Sequence, residues 1–299
     1  MSVKERVDNI SRNNNLNINT PYTAAKIEVS GICTLQCNFC YNKIMRQNNI
    51  RQKIMAPKDF QFVLDSLRQI ETIKEVGLFY MGESALCFYL KKYYQKLKDL
   101  GYFTFLTTNG TLYRAIVEAI PYIDSLKVSW NYKDIHDFHE KTGFFDEQYN
   151  AIKENIKRFY RECHKYHKKL TISTVLDSNR QDYDNSLKEL IYDDHYWIPL
   201  QTQGGTYNNG LDGVVGEDDN KVSPMPCWSL FKGIYIDVDL NVRACCYGHT
   251  KEHILGNLKE KPLIEIMSNK KLLQIKKQQL NGEIPDMCKV CLSNQRKDF

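Results

Sequence analysis

No apolar run in the 299 residues approaches the ~20 needed for a helix to cross a bilayer, so a helical membrane protein is not expected. The N-terminus lacks the apolar core of a secretion signal, which points to the cytoplasm and reduced thiols. Charge is not gathered into runs. The 41 basic and 36 acidic residues leave a formal +5 spread along the chain, so no nucleic-acid partner is expected. Internal repeats and low-complexity tracts are missing too, which excludes solenoids and biased, unstructured chains. What remains is globular. Hydrophobic residues make up 42% and aromatics 12%, enough for one large domain and a small appendage. The ten cysteines are the conspicuous excess, and in a reducing compartment they read as metal ligands or reactive thiols, not disulfides.

Residues 1–22 are Asn-rich, without apolar periodicity, and are expected to form a flexible extension. From Ala25 a βα rhythm begins. Strands are predicted at 26–30, 75–81, 102–107, 126–130, 170–176 and 196–200, with helices at 57–70, 85–100, 113–120, 147–166 and 183–192. Six such units predict an α/β fold whose parallel sheet is open or closed as a partial barrel, with chemistry at the C-terminal strand ends. The rhythm breaks at 203–226, which is rich in Gly, Asn and Asp. Two short strands (233–237 and 241–245), a helix (262–280) and a cysteine pair then form a second module of about 75 residues, too small to be comfortable without a staple.

Cys33, Cys37 and Cys40 follow the first strand directly, with three and two residues between them. Such a loop can wrap one face of a cubane and supply three thiolates to three irons, leaving the fourth iron open for chemistry. Three buried small side chains, or a zinc knuckle lacking its fourth ligand, are the bland alternatives. Their place at a C-terminal strand end tells against both.

The triplet resembles the defining motif of the radical S-adenosylmethionine (SAM) superfamily, with Phe39 at its aromatic position. The resemblance implies a (βα)6 TIM-like partial barrel over residues 23–203. It also implies a 4Fe-4S cluster whose open iron chelates SAM, reductive cleavage to a 5′-deoxyadenosyl radical, and hydrogen abstraction from substrate. Tyr80-Met81-Gly82-Glu83-Ser84 is similar to the family's Gly-Gly-Glu motif, with Met81 replacing the first glycine, which implies that Gly82 and Glu83 hold the cofactor's ammonium. Asn109 in Thr107-Thr-Asn-Gly110 resembles a ledge beneath the cofactor, and Ser129 and Asn131 take positions that touch its ribose or carboxylate. Ser173 and Val175 are expected to line the pocket.

Cys227, Cys245, Cys246, Cys288 and Cys291 fall in the tail, with seventeen residues between Cys227 and Cys245 and a C-x-x-C pair at the end. Four thiolates brought together there could close a zinc site or a cubane. The layout resembles the Twitch domain, the shortened relative of the SPASM domain. That implies a second unit over 204–299 with an auxiliary 4Fe-4S cluster ligated by Cys227, Cys245, Cys288 and Cys291. Cys246 can replace Cys245 if the two lie in a strand, since neighbours point to opposite faces. Full ligation implies electron transfer, with a one-electron reductant such as flavodoxin or ferredoxin as partner.

Three fates of the substrate radical stay open: two-electron oxidation, epimerisation with a cysteine hydrogen donor, and bond formation within a peptide. Oxidation is the favoured reading. Cys246 is the better donor candidate, while Cys87 and Cys163 are expected to be packing residues. Asp212, Glu217, Asp218, His195 and His249 are candidate bases, each with a solvated surface role as the ordinary alternative. The short extension before the barrel is too small to fold as a leader-peptide module, which favours a small molecule over a peptide. Residues 201–213 are a candidate substrate lid. Outside this class stand an iron–sulfur redox sensor and a zinc-binding module.

Overall fold

The computed structural model describes residues 16–200 and 226–288. The first part runs β1 (Ala24–Ile27), α1 (Asn42–Gln47), α2 (Pro57–Leu67), β2 (Glu75–Gly77), α3 (Leu90–Asp99), β3 (Phe103–Thr108), α4 (Tyr113–Ala119) and β4 (Ser125–Ser129). It continues with α5 (Ile135–Thr142), α6 (Asp146–Lys165), β5 (Leu170–Leu176), α7 (Asp184–Lys188) and β6 (Asp194–Pro199). Beyond residue 226 come α8 (Trp228–Lys232), β7 (Gly233–Ile236), β8 (Asn241–Arg243), β9 (Ile254–Asn257), α9 (Leu263–Met267) and α10 (Lys270–Leu280).

The local reasons are familiar ones. Pro57 opens α2, where its missing N–H has no helical partner to lose. Leu90, Tyr93, Tyr94 and Leu97 form one apolar stripe on α3, and Tyr149, Ile152, Ile156, Phe159 and Cys163 do the same on α6. Asp134 caps α5 through the Asp137 N–H, and Gly143 ends it at φ +74°, a left-handed conformation that a side chain would oppose.

All strands among the described residues join one nine-stranded sheet, ordered β6-β5-β4-β3-β2-β1-β7-β8-β9. Strands β1 to β6 are parallel to their neighbours, which bears out the partial (βα)6 barrel. Alternate strand residues divide its faces. Ala25, Ile27, Val76, Leu106, Val128 and Ile172 pack with the helices in the main core. Lys26, Phe105, Lys127, Ser129, Ser173 and Tyr196 take the opposite, inner face. No helix among the described residues is long and apolar enough to cross a membrane.

Several expectations need correction. The sheet crosses the expected boundary: β7 pairs in parallel with β1, from Ala24↔Gly233 to Ile27↔Ile236, so the tail strands extend the barrel sheet. An exposed β1 edge would leave its backbone groups unpaired, and β7 covers them. Strand β2 stops at Gly77 because the Leu78 N–H donates to the Tyr94 hydroxyl at 3.3 Å instead of to a neighbouring strand. The helix expected over 85–100 is broken by residues 87–89, and that over 262–280 by Asn269, whose side chain caps α10. Helices α1, α5 and α8 and strand β9 have no counterpart in the sequence pattern. Cys245 and Cys246 lie past the end of β8 in a turn, so strand alternation cannot choose between them.

Candidate active site

The loop leaving β1 carries Cys33, Cys37 and Cys40, all half-buried. It is anchored on several sides. The Asn42 amide donates to the Gly31 carbonyl (2.9 Å), Arg46 of α1 donates to the Cys33 carbonyl, and the Asn38 N–H donates to the Lys141 carbonyl of α5 (2.7 Å). Two of the thiols also meet a protein donor. Asn109 Nδ2 lies 3.5 Å from Cys33 Sγ, and the Asn42 backbone N lies 3.5 Å from Cys40 Sγ. Arg46 carried no sequence signal and belongs to no motif.

Burial pushes the Cys33 thiol up to about 12, with the Glu83 carboxylate adding to the rise, and it raises Cys37 and Cys40 as well. Three thiolates in this pocket therefore need a strongly cationic partner. Iron supplies that charge, so the donor set fits a cluster. Among the described residues no three Cys, His, Asp or Glu side chains converge as a single bound ion requires. A cubane takes each thiolate on a different iron and makes no such demand.

Gly82 sits against this loop at contact distance. A Cβ there would lie 2.1 Å from the Ser30 carbonyl oxygen and 2.7 Å from that of Ile32, so only glycine allows the β1 and β2 loops to meet. The Glu83 N–H then donates to the Ile32 carbonyl at 2.7 Å. The Glu83 side chain turns inward and is 3% exposed. It accepts from Thr108 Oγ1 (2.8 Å), the Ala85 N–H (3.0 Å) and the Asn109 N–H (2.8 Å). Its carboxylate thus bolts the end of β2 to the end of β3. Asn109 likewise tethers: Nδ2 also donates to Thr34 Oγ1 (2.9 Å), and Oδ1 accepts from Thr111 (3.0 Å to N, 2.7 Å to Oγ1). Asn131 Oδ1 accepts from the Val175 N–H at 2.8 Å, stitching β4 to β5. Phe39 and Ser129 are half-buried, and Ser173, registered opposite Ser129, has a buried Oγ with no hydrogen-bond partner among the described residues.

The tail loop packs directly on this site. His249 stacks on Tyr41, the residue after Cys40, with centroids 4.9 Å apart, and meets the edge of Tyr80 at 5.4 Å. The Tyr80 hydroxyl bonds the carbonyls of Cys245 (3.0 Å) and Gly248 (3.2 Å). Beneath lies a buried ionic chain. Arg51 Nη1 is 3.1 Å from Glu28 Oε2 and 3.9 Å from Asp237 Oδ2, which Arg243 Nε approaches to 2.7 Å. Gln279 draws two tail cysteines together: it accepts from the Cys227 N–H (2.8 Å) and donates to Cys288 Sγ (3.4 Å). Cys246 Sγ lies 3.4 Å from Ser229 Oγ. Cys291 lies outside the described residues, as do Asp212, Glu217, Asp218 and the lid expected at 201–213.

The remaining candidates are placed away from proton transfer. His249 is 4% exposed, and burial holds its imidazole well below the ordinary value, with Arg51 and Arg243 adding to the drop. It is neither a surface group nor an accessible base. His195 packs edge-on against Trp197 at 4.6 Å, on the helix-facing side of β6. Cys87 and Cys163 are core residues, 2% and 1% exposed, and burial raises their thiols to about 11 and about 12.

Comparison with known proteins agrees with this geometry. The model of the radical SAM superfamily matches residues 27–190, and that of the iron-sulfur cluster-binding domain SPASM matches 227–292. No curated protein sequence matches the chain. Among solved structures, BtrN in complex with AdoMet and 2-DOIA is 16% identical with a TM-score of 0.58, covering 93% of this chain and 96% of BtrN. Streptococcus suis SuiB bound to precursor peptide SuiA is 16% identical with a TM-score of 0.64, covering 91% and 70%. Native anSMEcpe with bound AdoMet and Cp18Cys peptide is 15% identical with a TM-score of 0.62, covering 93% and 92%. At these identities the likeness is one of fold. With a cysteine triplet at the end of β1 and a second cysteine set docked beside it, the chain belongs to the radical SAM superfamily, carries a C-terminal SPASM-type domain, and uses SAM and iron–sulfur clusters as cofactors.

Proposed function

We propose that Cys33, Cys37 and Cys40 hold the SAM-binding 4Fe-4S cluster, and that the chain takes a hydrogen atom from a small molecule and oxidises it by two electrons. The observation that carries this is the loop after β1, which brings three half-buried cysteines to the strand end and gives Cys33 and Cys40 protein donors. When bound, the cluster and SAM supply a 5′-deoxyadenosyl radical by one-electron cleavage of the sulfonium. Gly82 brings backbone carbonyls to the cofactor's ammonium, and Glu83 serves by holding the β2 and β3 ends in register. Phe39 flanks the adenine, Asn109 ties the cysteine loop to the β3 ledge, and Ser129 and Asn131 border the ribose and carboxylate.

Cys227, Cys245, Cys288 and Cys291 hold the auxiliary cluster, leaving Cys246 beside Ser229. After hydrogen abstraction the substrate loses a proton and one electron. The stacking of His249 on Tyr41 supports oxidation, because it brings the loop that starts at Cys245 against the residue after Cys40. A one-electron reductant such as flavodoxin or ferredoxin would supply the electron that SAM cleavage consumes, and the auxiliary cluster would take up the one the substrate gives. A peptide substrate is the second reading, favoured by the fold shared with SuiB bound to precursor peptide SuiA.

Anaerobic iron analysis and a 5′-deoxyadenosine assay with dithionite and SAM test the reading. About eight irons per chain, two cubanes of four each, are expected. Replacing Cys33, Cys37 and Cys40 together by alanine should remove about four of them and abolish 5′-deoxyadenosine. Undiminished product from that variant would sink the proposal.

A further inference from the structure

Lys141 is a buried cation that belongs to no motif. It stands in the last turn of α5 and is 6% exposed. Its ammonium lies 2.9 Å from the Asn131 carbonyl, 2.8 Å from Asp137 Oδ2, 2.7 Å from Asp177 Oδ2 and 3.3 Å from the Tyr183 hydroxyl. Lys133 lies 3.6 Å from Asp177, so the two lysines balance the two aspartates. The Lys141 carbonyl, which the end of α5 leaves without a helical donor, accepts from the N–H of Asn38, between Cys37 and Cys40 (2.7 Å). One residue thus grips the cysteine loop and the ends of β4 and β5.

Asn131 is fixed from two directions. It stands past the last residue of β4, where the ladder no longer supplies its carbonyl with a donor, and Lys141 does so instead. Its Oδ1 faces the Val175 N–H at 2.8 Å, which turns the amide nitrogen the other way.

We propose that Lys141 is a positioning residue for SAM: by holding the Asn131 carbonyl beside the cysteine loop, it aims the Asn131 amide donor at an oxygen of the cofactor. This rests on the reading above that Asn131 borders the cofactor. A donor fixed before its ligand arrives gives up little rotamer freedom on binding, which strengthens affinity. The ammonium holds its oxygens more firmly in this buried site than it would in water.

The test is anaerobic calorimetric titration of SAM into unreduced holoenzyme, which reads binding without turnover. Lys141→Met should keep its iron and weaken the SAM Kd about tenfold, the scale of one hydrogen bond to a charged group. Asn131→Ala should weaken it similarly. Adding Lys141→Met to Asn131→Ala should then cost less than about twofold more, because the donor being aimed is already gone. A merely structural lysine would multiply the two losses. Should Lys141→Met fail to load iron, Lys141→Met/Asp177→Asn takes its place; it removes one charge of each sign and leaves Asp137 with Lys133. An unchanged Kd in the iron-loaded lysine variant, or a full second tenfold loss in the Asn131→Ala background, overturns the inference. An unchanged Kd in Asn131→Ala alone would instead refute the placement of Asn131 at the cofactor, and the proposal with it.

Discussion

Removing Arg51 should uncouple the barrel from the tail strands. Its side chain is 1% exposed, and Nη1 contacts Glu28, whose carboxylate also accepts from the Met81 N–H (3.2 Å) and the Val238 N–H (3.2 Å). Glu28 therefore joins β1, the β2 loop and the end of β7 at one point. Arg51→Met keeps much of the side chain's length and removes its charge. Asp237 retains Arg243, whereas Glu28 is left buried without a counter-charge. Breaking a buried pair in this way costs about 3–5 kcal/mol, a large share of the ~5–15 kcal/mol that holds a domain together. Anaerobic urea unfolding should show the midpoint falling accordingly, and adding Glu28→Gln should recover much of the loss. The sign with pH is also set. Burial raises the Glu28 carboxyl above its ordinary value, so without Arg51 it can take up a proton while folded. The deficit should shrink on acidification and grow as pH rises through the raised value. A loss under about 1 kcal/mol, or one that Glu28→Gln deepens, would refute the reasoning.

Two further outcomes are expected. Gly82→Ala places a Cβ on the Ser30 and Ile32 carbonyls, forcing the loops apart; 5′-deoxyadenosine formation should fall at least about tenfold with most iron retained, and an unimpaired variant would show that the close approach is dispensable. Lys276, 3% exposed against Tyr22 and Phe231, has its ammonium lowered by burial from 10.5 to about 8. The unfolded chain binds the extra proton between those values, so stability should rise as pH climbs from about 8 to 10.5, and Lys276→Met should flatten that slope in thermal melts.

Most of the architecture was legible because it is written in local period. Strand β5 occupies 170–176 as predicted, and the stripes on α3 and α6 announce which faces are buried. The cysteine triplet needed no structure to be noticed, since its spacing after a β1-like run is a local pattern. Motif identity, however, did not disclose orientation. Glu83 was visible as a motif residue, yet its carboxylate points to Thr108 and Asn109, a choice made by donors from another strand. Asn131 similarly spends its side chain on Val175.

Residue spacing was enough to establish the βα repeat, the cysteine loop at a strand end and the second cysteine set, because each depends on neighbours within a few turns of chain. Tertiary structure alone decided that β7 seals the β1 edge, that His249 stacks on Tyr41, and that Asn38 of the cysteine loop bonds Lys141. Those contacts join residues a hundred or more positions apart, where no local periodicity operates. They are selected by edge pairing, burial of charge and ring packing, which exist only once the sheet has brought the strand ends together.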